Sequence, residues 1–428
     1  MSSLAWRTLR RLLVTLGGMI LAATDSGCAF GPRVLEKTHG RYQESVRQVD
    51  EEQLLRNLVH LRYGEGVLSL RVSSIASQYE LAGAAEARPF FLAPNPSNSN
   101  VIFKTFTSVL PDVSISGANR PTITLVPSDS GDAMRRFLTP IPTETLAFLS
   151  DSSWPISVVF RLWVERLNGV PNGVSASGPP TGVISDYQRF RRLMDLIQTA
   201  QDHELASLRT ELREVVVSGP LPASAVTAGA VVDAAKSGME YRPREPDGAW
   251  VLVRKEPKLL TRINPRGYRA PEIEEVIAEL NLRPDQTQYD VIVAPGNVPD
   301  PLHYPHPPSA ELRITPRSTS QVYFYLSKGV EVPPDHLASG VARGFVDEEG
   351  KPMDGRELTR GVFEVHACAG HKPPPTAYVA VKSRGYWYYI DDRDQASKST
   401  LSLVLQLSRL DFGNQTPAAP FLTLPIGR

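Results

Sequence analysis

The sequence predicts an α+β fold: an antiparallel meander and a mixed sheet packed with amphipathic helices. Three observations carry that expectation. Apolar residues recur at three- and four-residue spacing in several separate stretches, the period of a helix with one buried face. Other stretches alternate with a period of two and are rich in valine, isoleucine, threonine and phenylalanine, which suits half-buried strands. Most of the 37 prolines fall outside both kinds of stretch and act as punctuation. With 428 residues and 41% hydrophobic content, the chain has room for one large domain or two ordinary ones.

Over residues 42–63, Val46, Val49, Leu54, Leu55, Leu58, Val59 and Leu61 keep helical spacing, and Gly64 and Gly66 end the helix. Asn57 interrupts the apolar face and Arg62 closes it. Buried polar groups need partners, so both are read as fastening the helix to a neighbouring loop. Residues 67–72 alternate as a strand. Strands follow at 101–109, 113–116 and 122–126, separated by the turn residues Pro111-Asp112 and 117–121, which together give the meander. Helical spacing returns at 143–149 and at 156–167. In the latter, Val158, Phe160, Leu162 and Val164 also alternate as a strand would. Residues 170–182 have neither period and are dense in proline, glycine and serine. A linker or loop at 171–182 therefore separates an N-terminal α+β region, 28–170, from a C-terminal α+β region, 183–428.

Helices are expected at 185–201 and 223–236, and strands at 250–255, 259–263 and 289–293. A helix at 271–280 between the last two strands gives the order of a parallel crossover. Residues 294–309 form an extended loop, whose prolines forbid the helix that would bring His303 and His306 onto one metal. The next helix takes Thr315 as its cap, Pro316 at its first position and Gly329 as its stop. Strands at 362–366, 378–382 and 386–390 lead to a buried helix over 397–410, which Gly413 ends, and a last strand lies at 421–426. No internal repeat of fixed period is present.

Two constellations bear on chemistry. Asp391, Asp392 and Asp394, with Arg393 among them, follow the aromatic run that begins Tyr386-Trp387. Clustered carboxylates bind Ca²⁺ or act as an acid and base on a glycosidic bond, and the aromatic rings stack sugars. A simpler reading is that the aspartates cap the following helix and Arg393 neutralises them. The regular oxygen spacing and distal glutamate of a calcium loop are missing. These residues stand as the interaction candidates of the sequence. His366, Cys368 and His371 offer three soft ligands where a structural zinc site takes four, and strand alternation alone sets His366 and Cys368 on one side. Cys368 reads as a core or strand-end residue. No nucleophile elbow, phosphate loop, dinucleotide fingerprint or H-E-x-x-H motif occurs, so no catalytic residue, cofactor or metal is assigned. The 46 basic and 46 acidic residues cancel, and no electrostatic case for nucleic acid follows.

The first thirty residues specify an address. Arg7, Arg10 and Arg11 lead an apolar run over residues 12–23, followed by Ser26, Gly27 and Cys28, the layout of a signal peptide. The run is shorter than the roughly 20 apolar residues of a membrane span. Gly27-Cys28 resembles a bacterial lipoprotein processing site, although Asp25 stands where that pattern has leucine. The resemblance implies removal of residues 1–27 and acylation of Cys28, and two or more chains give stable anchoring. Cys368 is the only other cysteine, so a lipidated Cys28 leaves no intramolecular disulfide.

The segments NLVHLRYGE (57–65), TPRSTSQVYFYLSKGVEVP (315–333), AYVAVKSRGYWYYIDDRD (377–394) and LTLPIGR (422–428) resemble a family of uncharacterised bacterial envelope lipoproteins. That resemblance implies a protein tethered to a membrane through Cys28 and facing the periplasm or the exterior. Ala29 and Phe30 carry no charge that would retain it at the inner membrane, which favours the outer one. The family supplies no activity and no site residue. The expectation is a non-enzymatic binding or assembly component whose partner is an envelope protein or polysaccharide. The alternative is a carbohydrate hydrolase acting through Asp391, Asp392 and Asp394.

Overall fold

The fold is α+β. The computed structural model describes residue 40 and residues 43–67, 70–90, 108–127, 131–152, 154–180, 183–184, 187–244, 248–294, 307–413 and 422–425. The chain forms two units: a smaller one of Met1–Asp50, Ser69–Ser128 and Gln415–Arg428, and a larger one of Glu51–Leu68 and Asp129–Asn414. Helix α1 covers residues 43–62, as its spacing predicts.

In the smaller unit, β1 (Leu70–Phe90) and β2 (Ser108–Pro127) form a long antiparallel ladder, and β15 (Leu422–Pro425) adds to β2 in the order β1-β2-β15. The expected meander is corrected here. The stretches 113–116 and 122–126 belong to one strand, which runs on through Pro111-Asp112 and Gly117 because β1 pairs with it residue by residue. Proline's fixed φ is compatible with an extended chain and removes one ladder donor at each site. β1 likewise continues well past Val72. Its added length is mostly alanine, glycine, serine and glutamate, types with weak strand preference. The expected strand at 101–107 lies outside the described residues.

The larger unit is built on a seven-stranded sheet. Its strands are β3 (Val164–Leu167), β4 (Val170–Pro171), β5 (Ala206–Leu221), β6 (Met239–Arg244), β7 (Ala249–Ile263), β8 (Gln288–Val293) and β9 (Glu311–Pro316). The order is β4-β3-β9-β8-β7-β5, with β6 also paired to β7. Only β8 and β9 are parallel. The crossover expected between residues 259–263 and 289–293 is therefore corrected: β7 and β8 are antiparallel, with Leu260 opposite Asp290. The strands expected at 250–255 and 259–263 are one strand.

Helices α2 (Gly131–Leu138), α3 (Thr143–Asp151), α4 (Ile156–Trp163), α5 (Tyr187–Asp202), α6 (Ala228–Lys236) and α7 (Pro271–Glu279) accompany this sheet. The dual pattern at 156–167 resolves into both structures. Ile156, Val159, Phe160 and Trp163 form the buried face of α4, which passes directly into β3.

Helix α8 (Thr319–Ser327) is capped by Ser318, whose hydroxyl accepts from the Gln321 amide while the Gln321 side chain accepts from the Ser318 amide. This reciprocal pair corrects the expected cap at Thr315. Both Thr315 and Pro316 are held in β9 by pairing with β3. Short pieces follow: α9 (Pro334–Ala338), β10 (Phe345–Val346), β11 (Pro352–Met353) and α10 (Arg356–Thr359). A second sheet of β12 (His366–Ala369), β13 (Ala377–Ser383) and β14 (Tyr386–Asp391) has the order β12-β14-β13. The expected strand at 362–366 is corrected: the ladder begins at His366, because Val362 and Phe363 turn back onto the Thr359 carbonyl and Val365 bridges Val330 instead of β14. Arg384 and Gly385, both at positive φ, turn β13 into β14. Helix α11 (Gln395–Gly413) buries Leu401, Leu403, Val404 and Leu407.

The proline- and glycine-rich stretch expected as a linker lies within the larger unit. Ala176 is fully buried, and the Asn172 amide donates to the Arg161 and Val164 carbonyls at 2.8 and 2.9 Å. Two buried cations hold this stretch. Arg317 donates to the Ser177 hydroxyl at 2.7 Å and to the Arg161 and Asn172 carbonyls at 2.8 and 3.0 Å, and its guanidinium covers the Tyr325 ring. The Lys328 ammonium donates to the Gly178 carbonyl at 2.8 Å.

Candidate functional site: an apolar cavity

In the larger unit β5, β7, β8 and β9 meet α4, α5 and α7 around an open-mouthed cavity of about 490 Å³. The sequence accounts for its walls. Helix α5 buries Phe190, Leu193, Met194 and Ala200 along one stripe. Helix α7 opens with Pro271 and places Glu272 and Glu274 in its first turn, where acidic groups favour the positive end of the helix. Ion pairs from Arg189 to Glu279, at 2.8 Å, and from Arg192 to Glu275 tie α5 to α7 across the outside.

The interior is set by Phe160, Ala200, Leu208, Ile263, Ile273 and Leu280, all buried. Three polar side chains of the lining are hydrogen-bonded to backbone groups. The Gln201 side-chain oxygen accepts from the Ile156 amide at 2.9 Å, Asn264 donates to the Glu204 carbonyl at 2.6 Å, and the Tyr289 hydroxyl donates to the Arg283 carbonyl. Burial pushes the Tyr289 phenol above its ordinary pKa, which keeps it neutral. Glu204 and Arg209 line the cavity but are exposed, so they mark its mouth. The lining contains no histidine or cysteine and a single carboxylate. Such a space favours a hydrocarbon-like ligand with a polar end left at the mouth.

A second polar cluster lies elsewhere in the larger unit. The Tyr63 hydroxyl is 2.6 Å from both His336 Nδ1 and the Tyr388 hydroxyl, and Arg384 lies over the Tyr63 ring. Tyr386 donates to Asp335 at 2.9 Å. Burial raises the Tyr388 and Tyr63 phenols, so these groups act as neutral hydrogen-bonding partners. The cluster fastens the end of α1 to α9 and β14. Arg62 does the same beside it, donating to the Arg343 carbonyl at 2.9 Å.

The residues singled out from sequence fall as follows. Asp394 begins α11: its carboxylate accepts from the Ser397 amide at 3.0 Å and from the Ser397 hydroxyl, and its carbonyl accepts from the Lys398 amide. Asp392 pairs with Lys398 at 2.7 Å, and Asp391 accepts from the Arg393 amide at 2.9 Å. That amide, with smaller help from the Thr376 hydroxyl and Arg393's charge, holds the Asp391 carboxyl below its ordinary pKa. Each aspartate thus serves the strand-to-helix junction. Trp387 lies opposite Cys368 and Lys382 in the ladder, while Tyr386 turns to Asp335, so the aromatic pair and the aspartates serve different neighbours. His366 Nδ1 approaches Glu331 at 3.9 Å. Among the described residues, no group of three histidine, cysteine or acidic residues is arranged to hold a metal ion. Gly27, Cys28, His303 and His306 lie outside the described residues.

The cavity was not visible in the sequence. Its walls come from seven elements spread over residues 156–312, and β5, which forms one wall, has little alternation of its own. The fold and this cavity define an α+β protein with an internal apolar site. Comparison with known proteins gives no matching family model, curated protein or solved structure. No helix among the described residues is long and apolar enough to cross a membrane.

Proposed function

We propose that the protein is a lipid-anchored component of the bacterial cell envelope that acts by binding, with the apolar cavity of its larger unit as the ligand site. The leader and Cys28 support the address. The observation that carries the binding reading is the cavity itself: a space of about 490 Å³ lined mostly by apolar side chains, in which Gln201 and Asn264 are hydrogen-bonded to backbone groups. A hydrolase needs a pair of proton-transferring groups facing its substrate, and the aspartates nominated for that role are engaged in capping and pairing at the start of α11.

A displacement assay tests the reading. The full chain is titrated with an environment-sensitive apolar dye, and long-chain fatty acids are added as competitors. Dye binding with competition is the expected result, and Ala200→Phe, which fills the cavity from α5, abolishes it while leaving the thermal midpoint within a few degrees. Dye binding that survives Ala200→Phe unchanged places the ligand elsewhere and refutes the assignment. As a control, Asp392→Asn leaves binding unaltered.

A further inference from the structure

The smaller unit carries a pattern that the cavity does not use. The antiparallel register of β1 and β2 sets Ile75 opposite Ile123, Leu81 opposite Gly117, Gly83 opposite Ile115 and Ala85 opposite Val113. Residues alternate between faces with a period of two, so these pairs share one face of the ribbon. The intervening pairs, including Gln78 with Arg120 and Glu86 with Asp112, share the other. All six charged residues of the two strands (Arg71, Glu80, Glu86, Arg88, Asp112 and Arg120) belong to that second set.

Two irregularities could have spoiled this partition, and both preserve it. The register step between Val72 and Ser74 inserts one residue into β1 and thereby keeps Val72, opposite Leu125, on the uncharged face with Ile75. The short strand β15 arrives from the far end of the chain and sets Leu422 opposite Leu125 and Leu424 opposite Ile123. A ribbon wetted on both faces has no physical reason to keep one of them free of charge over its whole length.

The dimensions and the charged face point to one occupant. Residues 81–89, paired with 109–117, place only leucine, glycine, alanine, proline, valine and isoleucine on the uncharged face. This is nine residues in each strand, and a tilted strand crosses the hydrocarbon core of a bilayer in about 9–11. Tyr79, opposite Asn119, follows at one end of the stretch, where an aromatic residue suits the membrane interface. On the other face Glu86 stands directly opposite Asp112. Two carboxylates in register repel unless water screens them. Apolar on one face and wet on the other is the pattern of a strand between lipid and an aqueous lumen.

We infer that the β1–β2 ribbon inserts into a lipid bilayer with its uncharged face against the hydrocarbon core. In hydrocarbon every backbone group needs a partner, so spanning strands must close into a barrel. Within the described sheet β1 has one open edge, and β15 covers β2 only at residues 122–125. The three described strands cannot close on themselves. Copies of this chain are the occupants we assign to the remaining places, so that the barrel is an assembly of several chains. This inference shares the envelope address with the function proposed above but does not rest on the cavity.

The test is a cysteine scan in a full-length Cys28→Ala, Cys368→Ser background, which removes the acyl anchor so that vesicle insertion reports on the ribbon alone. Single cysteines replace Leu81, Gly83, Ala85 and Ala87 in one series and Ala82, Ala84, Glu86 and Arg88 in the other. Each carries an environment-sensitive fluorophore, and the protein is reconstituted into phosphatidylethanolamine–phosphatidylglycerol vesicles with or without nitroxide-labelled acyl chains. The expected result is quenching at least about two-fold stronger in the first series than in the second, with cross-linking that captures oligomers. Positions are read as two series, so loss of one variant does not erase the pattern. Equal quenching in both series overturns the inference. So does a first series that is shielded from water yet untouched by the nitroxide lipid, because protein then covers the face. Insertion as a monomer overturns the shared barrel.

Discussion

Lys328 should make the stability of the larger unit depend on pH in a window where most proteins are flat. The residue is 1% exposed, and its ammonium donates to the Gly178 carbonyl and lies 5.4 Å from the centre of the Phe345 ring, with Arg62 over the same ring. Burial, with Arg62 adding repulsion, depresses its pKa from 10.5 to about 7. Between those values the unfolded chain holds a proton that the folded chain does not, so unfolding takes up a proton. Stability therefore rises as pH increases from about 7 towards 10.5, and is lost as pH falls back through 7. The slope approaches about 1.4 kcal/mol per pH unit, which gives about 2 kcal/mol between pH 7 and pH 9. Lys328→Met keeps the apolar stem and removes the titration. Urea unfolding of both proteins at pH 7 and pH 9 isolates the effect. The variant is expected to be the more stable at pH 7, and its advantage should shrink by about 2 kcal/mol at pH 9. A difference between the two proteins that does not move with pH would show that Lys328 titrates normally in the folded state and would refute the reasoning.

Other perturbations follow from single contacts. Arg317→Ala removes a donor from the Asn172 carbonyl and the Ser177 hydroxyl and leaves the Arg161 carbonyl with only the Asn172 side-chain amide; it should cost about 3 kcal/mol in urea unfolding and open residues 172–178 to proteolysis before the rest of the unit. Asp394→Ala removes the cap of α11 and should lower stability by about 1 kcal/mol, with Asp394→Asn losing much less. Tyr63→Phe breaks the link to both His336 and Tyr388 and should cost about 1–2 kcal/mol, measurable as a lower urea midpoint with an unchanged slope.

The sequence was most readable where the deciding interactions are local. Helices α1, α5 and α11 and the β13–β14 hairpin were legible because their periods are long and their ends carry glycine or a turn. The capping role of Asp394 was legible too, since it depends on a residue three positions on. Residues 171–182 looked like a linker because nothing within the stretch orders it. The groups that do, Arg317 and Lys328, stand 140 and 150 residues away from their partners Ser177 and Gly178. The reach of β1 and β2 was hidden for a related reason. Alanine, glycine and proline give weak strand signals, and the separation of charge from apolar residues emerges only when the two strands are set in register. The parallel crossover failed because helical order between two strands does not fix their pairing, and β9 rather than β7 took the parallel place beside β8.

The anchored address in the proposed function rests on acylation of Cys28, and the mass of the N-terminal peptide from the membrane fraction tests it directly. The expected result is a chain that begins at Cys28 and carries acyl chains, with Cys28→Ala lacking that modification. An unmodified N-terminus that begins after residue 28 would contradict it.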